Sequence, residues 1–156
     1  MSHYTTIDTD MTDPECIKKA LNDMGFTNEM IVEQKARTLL GYRGKVRKDD
    51  ITGEVMTADL TIEGMAGANH VGGASNDIGW RLMPNGTYQA VISENEAGRK
   101  DSVTGKQHGT YGSEWQGKML QAYGFHKTTK LAKKKKLRVK KKEKLEGGYV
   151  KLTLKK

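Results

Sequence analysis

The sequence predicts an α+β domain in which two helices pack on one side of a mostly antiparallel sheet. Two segments carry apolar residues at helical spacing, several shorter segments alternate apolar and polar residues as strands do, and an Asn-Gly pair marks a tight hairpin turn. The 156 residues, 35% of them hydrophobic, suit one modest core. We therefore expect residues 1–156 to form a single domain.

The first helix is predicted to follow a short strand at residues 3–8. Thr12 stands three residues before Glu15, which is the spacing of a capping box, and Pro14 suits a first helical turn. Cys16 lies beside the apolar stripe and is expected to pack rather than to react. The stripe itself consists of Ile17, Ala20, Leu21 and Met24.

The middle of the chain is predicted to supply most of the sheet. Residues 31–40 fit either a strand or a helix, whereas residues 54–62 alternate as a half-buried strand does. Residues 63–77 are rich in glycine and small polar residues, which predicts a loop. Residues 78–93 predict a hairpin, since Asn85-Gly86 can adopt the positive φ angles of a two-residue turn. The apolar face of the 54–62 strand is expected to be Met56, Ala58, Leu60 and Ile62.

The last third predicts a long helix and a second hairpin. Ser113 and Gln116 have capping-box spacing, and the glycines at 147 and 148 mark a turn between two alternating segments. Each half of the chain then has strand–helix–strand order, which suggests a distant duplication. The buried stripe of the helix is expected to be Trp115, Met119, Ala122, Tyr123 and His126, extended by Leu131.

Positive charge is concentrated at the C-terminal end. The formal net charge is +8, but residues 127–156 hold 14 Lys or Arg and only two acids, whereas residues 1–126 are net negative. We expect these side chains to lie on a helix end and on one face of the hairpin, where they could neutralise phosphates without reading bases. The alternative is that they only keep the domain soluble and protect a sheet edge. The candidate contacts are Lys133, Lys134, Lys135, Lys136, Arg138, Lys140, Lys142 and Lys151.

Several segments together resemble a known family. They are "MSHYTTIDT", "IKKALNDMGF", "GYRGKVR", "NDIGWRLMPNGTYQAVIS" and "LQAYGFHK", followed by a glycine-turned hairpin. In this order they resemble the uncharacterised family encoded by chloroplast open reading frame thirty-five, which has relatives in cyanobacteria and cyanophages. The sequence departs from the family at 64–76, after the 78–93 hairpin, and in its lysine-rich end. The resemblance implies a plastid, cyanobacterial or phage setting and supplies no activity.

Motifs for catalysis are weak. "GSEWQGKM" has the Gly-x4-Gly-Lys spacing of a phosphate-binding loop, but Met119 stands where a magnesium-binding hydroxyl is needed. The four histidines show no metal-ligand spacing, so no metal and no cofactor is expected. One enzyme hypothesis remains, in which His3, Asp77 and His126 meet in the folded chain. Because the motifs for catalysis are otherwise weak, we expect a non-enzyme.

The preferred functional prediction is a small binding protein. A nucleic acid or nucleoprotein would dock on the basic C-terminal face; the alternative is a protein–protein adaptor or structural component. The single cysteine suits a reducing compartment, and the polar N-terminus resembles no signal peptide. No apolar run approaches membrane-spanning length, so no membrane partner is expected. We expect a cytoplasmic protein of a cyanobacterium or phage-infected host, or a stromal one if plastid-encoded.

Overall fold

A computed structural model of the protein confirms the α+β prediction. It describes residues 4–41, 45–49, 52–63, 76–93, 99–100, 107–108, 111, 113–135, 138–144 and 150–155. The strands of the main sheet are β1 (Tyr4–Asp8), β2 (Ile31–Thr38), β3 (Thr57–Ile62), β4 (Ile78–Leu82) and β5 (Tyr88–Ser93). The helices are α1 (Pro14–Asp23) and α2 (Ser113–Lys134), with a 3-10 turn at Asn28–Met30. Two small hairpins are β6 (Arg99–Lys100) with β7 (Gln107–His108) and β8 (Arg138–Lys144) with β9 (Val150–Lys155).

The main sheet has the order β1-β5-β4-β3-β2, and every neighbouring pair is antiparallel. Both helices pack on one face of this sheet, as predicted. The cluster between them, called here the helix-side core, excludes water from a large apolar area, which is the main favourable term in folding. It includes Ile17, Leu21, Leu60, Ile62, Ile78, Trp80, Ile92, Met119 and Tyr123.

A second, smaller cluster covers the other face of the sheet. This far-side core is formed by Leu39, Met56, Ala58 and Val91. Gly79 lies under it, and a Cβ at that position would overlap the Ala58 side chain and approach Leu39. The close approach explains why β4 carries a glycine in its middle.

The start of α1 differs from the prediction. Asp13, not Thr12, caps the helix: its carboxylate accepts hydrogen bonds from the N–H groups of Glu15 (3.0 Å) and Cys16 (3.4 Å). Pro14 takes the first helical position, where its missing N–H is not needed. A carboxylate at this end also interacts favourably with the helix dipole.

The ambiguous 31–40 segment is a strand, and it is irregular. The β2–β3 register shifts between Glu33 and Arg37, and Ala36 has a left-handed φ of 51°. Asp59 of β3 fills the gap: one carboxylate oxygen accepts the N–H of Ala36 (3.0 Å) and the other accepts the N–H of Leu82 on β4 (2.7 Å). One side chain thereby satisfies backbone donors on both neighbouring strands.

The irregularity at Asp59 makes one prediction wrong. Met56, Ala58, Leu60 and Ile62 do not share a face, because Met56 and Ala58 belong to the far-side core while Leu60 and Ile62 belong to the helix-side core. Regular alternation would have put all four together. The strand changes face where the Asp59 side chain replaces the regular ladder.

The β4–β5 hairpin is confirmed, but its turn is longer than the predicted two residues. The N–H of Gly86 donates to the Met83 carbonyl (2.9 Å), and the N–H of Met83 donates to the Thr87 carbonyl (2.8 Å). Gly86 alone adopts a positive φ, 88°, and Asn85 does not. The restricted φ of Pro84 explains this, because proline favours the first corner of a type I turn.

The second helix uses two faces. Met119 and Tyr123 are buried in the helix-side core, with Trp115 and Ala122 packed against it, as predicted. Leu131 does not extend that stripe: it is 46% exposed, and its neighbour Ala132 is 3% exposed. Ala132 lies seven residues after Phe125 and so shares its side of the helix, which contacts the β8–β9 hairpin. The hairpin therefore shifts the buried side of the last turns away from Leu131.

We predict that Asp59→Ala lowers the free energy of unfolding by about 2 kcal/mol, because it leaves two backbone N–H groups without their charged acceptor. Urea unfolding followed by circular dichroism measures this. Asp10→Ala, at an exposed carboxylate, is the matched control and is expected to change stability by less than about 0.5 kcal/mol. Equal effects of the two substitutions would contradict the bridging role of Asp59.

Candidate functional site

The first candidate site is a set of exposed lysines where α2 ends and the last hairpin begins. Lys133 and Lys134 close α2, Lys135 follows them, and all three are exposed. On the hairpin, Lys142, Lys151 and Lys155 are exposed. Since α2 contacts both β8 and β9, the two groups lie on neighbouring elements. We call five of them, Lys133, Lys134, Lys135, Lys151 and Lys155, the lysine-rich surface, and Lys142 is described separately below.

Two other lysines of the basic region form ion pairs with acidic residues at the start of α1. Lys130 Nζ lies 2.7 Å from Asp13 Oδ2 and 3.1 Å from Glu15 Oε2, and Lys127 Nζ lies 3.6 Å from Asp13 Oδ2. Tyr123 adds to this contact, because its hydroxyl accepts the N–H groups of Thr12 (2.9 Å) and Asp13 (3.1 Å). Helix α2 thus holds the N-terminus of α1, and these lysines serve the fold.

The ion pairs shift the protonation of their partners. Burial alone would raise the pKa of the Asp13 carboxyl, but the hydrogen bonds from Lys130 and the Cys16 N–H and the charges of Lys130 and Lys127 lower it from its ordinary 3.8 to about 2. The hydrogen bonds from Lys130 to the Asp13 and Glu15 carboxylates raise the pKa of the Lys130 ammonium. Both groups therefore stay charged at neutral pH.

The register of the last hairpin differs from the predicted pattern. An irregularity between Val139 and Lys141 shifts the pairing, so Lys142 stands opposite Leu152 while Lys151 stands opposite Glu143. Lys142 therefore does not share the face of Lys151, because one extra residue reverses every later side chain. Its ammonium lies 3.9 Å from the centre of the Phe125 ring, a cation–π contact with α2.

The predicted contact residues are thus only partly gathered on one face. Lys151 and Lys155 alternate with Leu152 and lie on the side of the hairpin away from Phe125, whereas Lys142 lies at the seam with α2. Lys136 lies outside the described residues. The backbones of Arg138 and Lys140 belong to β8, but their side chains are outside the description.

The lysine-rich surface can act chemically only through charge. Within the described part of the chain, Lys133, Lys134, Lys135, Lys151 and Lys155 make no ion pair. Ammonium groups are compact charges that attract phosphates or carboxylates without the two-point geometry of arginine. Such a surface favours an extended anion over a small shaped ligand.

The second candidate site is a buried polar cluster at one end of the sheet. Arg37 binds Glu63 (Nη2–Oε1, 2.8 Å) and Asp77 (Nη1–Oδ2, 3.4 Å), and the Asp77 side chain is only 1% exposed. The same Asp77 oxygen accepts the Leu40 N–H (2.9 Å), and the Asp77 carbonyl accepts the Tyr4 hydroxyl (2.9 Å). A buried carboxylate is tolerated here because a cation and hydrogen bonds surround it.

A second arginine extends this cluster. Arg47 donates from Nε (3.2 Å) and Nη2 (3.0 Å) to the Asn76 side-chain oxygen, and the Asn76 amide donates to the Ser93 hydroxyl (3.2 Å). Glu63 and Asn76 flank positions 64–75, which lie outside the described residues. The two arginines therefore fix both points where the chain enters and leaves that segment.

The hypothetical site of His3, Asp77 and His126 is not assembled from its described members. Asp77 lies beside Leu40, on the same side of the sheet as the far-side core. His126 lies in the helix layer, where its Nε2 is 2.6 Å from Asp23 Oδ2. The sheet separates these two side chains. His3 lies outside the described residues, so its part in any site stays a hypothesis.

Other groups that could carry chemistry have ordinary surroundings. Burial, with the nearby Asp13 carboxylate, raises the pKa of the Cys16 thiol, which makes that thiol a poor nucleophile. Among the described residues, no group of three or more His, Cys, Asp or Glu side chains is placed to hold a metal ion. In the same part of the chain, no helix combines the length and apolarity needed to cross a membrane.

Sequence reasoning missed both charge-bearing networks. Lys127 and Lys130 carried a signal, since they follow Tyr123 and His126 at helical spacing and so lie beside the face that meets α1. Arg37 gave no such signal in the sequence, because its partners, Glu63 and Asp77, are 26 and 40 residues away. Phe125 could have been noticed as an aromatic residue seven positions before Ala132.

We predict that the stabilising effect of the Asp13 charge depends on pH. The pKa of Asp13 is lower in the folded state, so its contribution is full above about pH 4 and is lost as pH falls towards 2. Asp13→Asn keeps the cap but removes the charge, and it should cost about 1–2 kcal/mol at pH 6 and about half of that at pH 3. Urea unfolding at both pH values measures this, with Asp10→Asn as control. A cost that is constant with pH would contradict the ion pair.

We predict that Arg37→Met lowers the free energy of unfolding by about 3 kcal/mol, because the buried Asp77 carboxylate loses the Arg37 guanidinium. Adding Asp77→Asn to this variant should recover part of the loss, since the added substitution removes that charge. Thermal and urea unfolding of both variants test this. A double variant less stable than Arg37→Met would show that the Asp77 charge is held by other groups.

Comparison with known proteins gives a family and no activity. A family model described as a protein of unknown function, DUF1257, matches residues 20–153. No curated protein matches the chain significantly, and no solved structure does. The family match agrees with the resemblance to an uncharacterised family and does not address a plastid, cyanobacterial or phage origin. Because it covers most of the chain, the protein belongs to the DUF1257 family of proteins of unknown function.

Proposed function

We propose that the protein is a non-catalytic binding protein whose lysine-rich surface docks onto a nucleic acid or nucleoprotein. The observation that carries the proposal is the division of the C-terminal lysines into two groups. Lys127 and Lys130 neutralise acids at the start of α1. Lys133, Lys134 and Lys135, one turn further along, are exposed and make no such pair within the described residues.

The arrangement of the free lysines suits a long anion. The three at the end of α2 and the two on the outer side of the hairpin lie on elements that contact each other. An extended phosphate backbone can meet several separated ammonium groups at once and release its counterions, which makes binding depend strongly on salt. The proposal includes a location: the protein would act in the cytoplasm of a cyanobacterium or phage-infected host, or in a plastid.

The residues also set the kind of recognition. Lysines give charge without bidentate base contacts, so we expect weak preference among sequences. Phe125, the aromatic residue beside Lys142, is already covered by that ammonium and is only partly exposed. Base stacking is therefore not part of the proposal.

The test is fluorescence anisotropy of a labelled short DNA duplex and a single-stranded RNA against the full-length protein across a salt series. We expect the logarithm of the binding constant to fall linearly with the logarithm of the salt concentration. Changing Lys133, Lys134 and Lys135 to Gln should weaken binding and reduce that slope by about 2 to 3, because each lost phosphate contact removes about 0.9.

The matched control removes the same charge elsewhere. Lys35, Lys45 and Lys48 are also exposed lysines, and the triple Gln variant at these positions should keep most of the affinity and the slope. An equal loss of affinity in both triple variants would show that net charge, and not the position of the lysines, determines binding. No binding of the wild-type protein at low salt would refute the proposal and leave a protein partner as the alternative.

A further inference from the structure

The outer side of α2 carries a row of residues of which Leu120, Gly124 and Leu131 are exposed, while Gly117 and Thr128 are half-buried. Gly117, Leu120, Gly124, Thr128 and Leu131 lie within an arc of about 80° around the helix axis, roughly opposite the buried Met119 face. Leu120 is 41% exposed and Leu131 is 46% exposed. We call these five residues the outer stripe.

The two glycines of the outer stripe have open space around them in the part of the chain that the structure describes. Both lie inside a 22-residue helix, where glycine is less favourable than almost any other residue. A Cβ added at Gly117 or Gly124 would meet nothing within 4 Å. Packing among the described residues therefore does not require glycine at either position, whereas glycine allows a second backbone to approach closely.

The spacing of the outer stripe is symmetric about Gly124. The steps between successive members are three, four, four and three residues, with Gly124 at the centre. When a second copy lies antiparallel, Leu131 meets Gly117 of the partner, Leu120 meets Thr128 of the partner, and the two Gly124 backbones meet on the two-fold axis. Each large side chain thus faces a smaller one, as a self-complementary two-fold interface requires.

From this pattern we infer that α2 is a dimerisation helix, with two copies of the chain packed antiparallel through their outer stripes. The charges of α2 favour the same orientation. Glu114 stands in the first turn, where its side chain is 90% exposed and lies 3.9 Å from Lys118 Nζ, while Lys133, Lys134 and Lys135 stand at the other end. Antiparallel packing places the acid of each copy at the lysine end of its partner and opposes the two helix dipoles. Parallel packing would bring the two lysine ends together, which is unfavourable.

The first experiment is sedimentation velocity of the full-length protein from about 5 µM to about 500 µM, a range in which a weak dimer becomes populated. We expect the mass to rise towards twice that of the monomer. The double variant Leu120→Gln with Leu131→Gln should weaken the dimer at least tenfold. Leu82→Gln, at a leucine that is 50% exposed on β4, is the matched control and should leave the dissociation constant unchanged.

A second variant separates association from folding. Gly124→Leu supplies a good helix former in open space, so it should raise the melting temperature of the monomer at low concentration. The same substitution should abolish the dimer, because the added side chain separates the two backbones at the axis. A dimer that survives Gly124→Leu would refute the packing, and so would a wild-type protein that stays monomeric throughout.

Disulfide trapping tests the orientation. Gly117→Cys and Leu131→Cys variants, mixed and mildly oxidised, should form a covalent dimer with one chain of each kind, since antiparallel packing brings these positions within disulfide distance. Each variant alone should cross-link far less. Efficient cross-linking within one variant would indicate a parallel pair and overturn the inference. The native Cys16 is buried and remains in all samples as an internal unreactive control.

Discussion

The arrangement of the sheet depends on the carboxylate of Asp59, which accepts one backbone N–H from β2 and one from β4. At this point β3 stops alternating, and its apolar residues pass from one face of the sheet to the other. One strand therefore supplies Leu60 to the helix-side core and Ala58 to the far-side core. Without this carboxylate, the two exposed backbone donors at the crossing would exchange a charged acceptor for water.

The basic residues of this protein fall into two groups, those that make contacts within the fold and those that make no ion pair among the described residues. Arg37, Arg47, Lys127 and Lys130 are each held by acidic or amide partners, and they join segments that are far apart in the chain. Beyond position 130, Lys133, Lys134, Lys135, Lys151 and Lys155 make no ion pair within the described part of the chain. These five lysines therefore add positive charge without joining described segments of the fold.

Much of the fold followed from local patterns. The apolar spacing of 115, 119, 122 and 123 placed α2 correctly, and alternation placed β3, β4 and β5, because both signals come from one-sided burial. The irregular places were not predictable in this way. The shift before Arg37 and the one after Val139 depend on the partner strand, and a single extra residue reverses the faces that follow. The contacts of Arg37 are tertiary and leave no periodic trace, so the sequence indicated the candidate lysines but not the buried cluster.

The anchoring of Glu63 and Asn76 has a consequence for how the protein could change over time. Each residue is held by an arginine from another part of the chain. Neither arginine comes from positions 64–75, so a change of sequence or length between Glu63 and Asn76 would leave both of these contacts available. Because closing a longer connection between two fixed points adds entropy only slowly, the two contacts give the scaffold a place to tolerate variation.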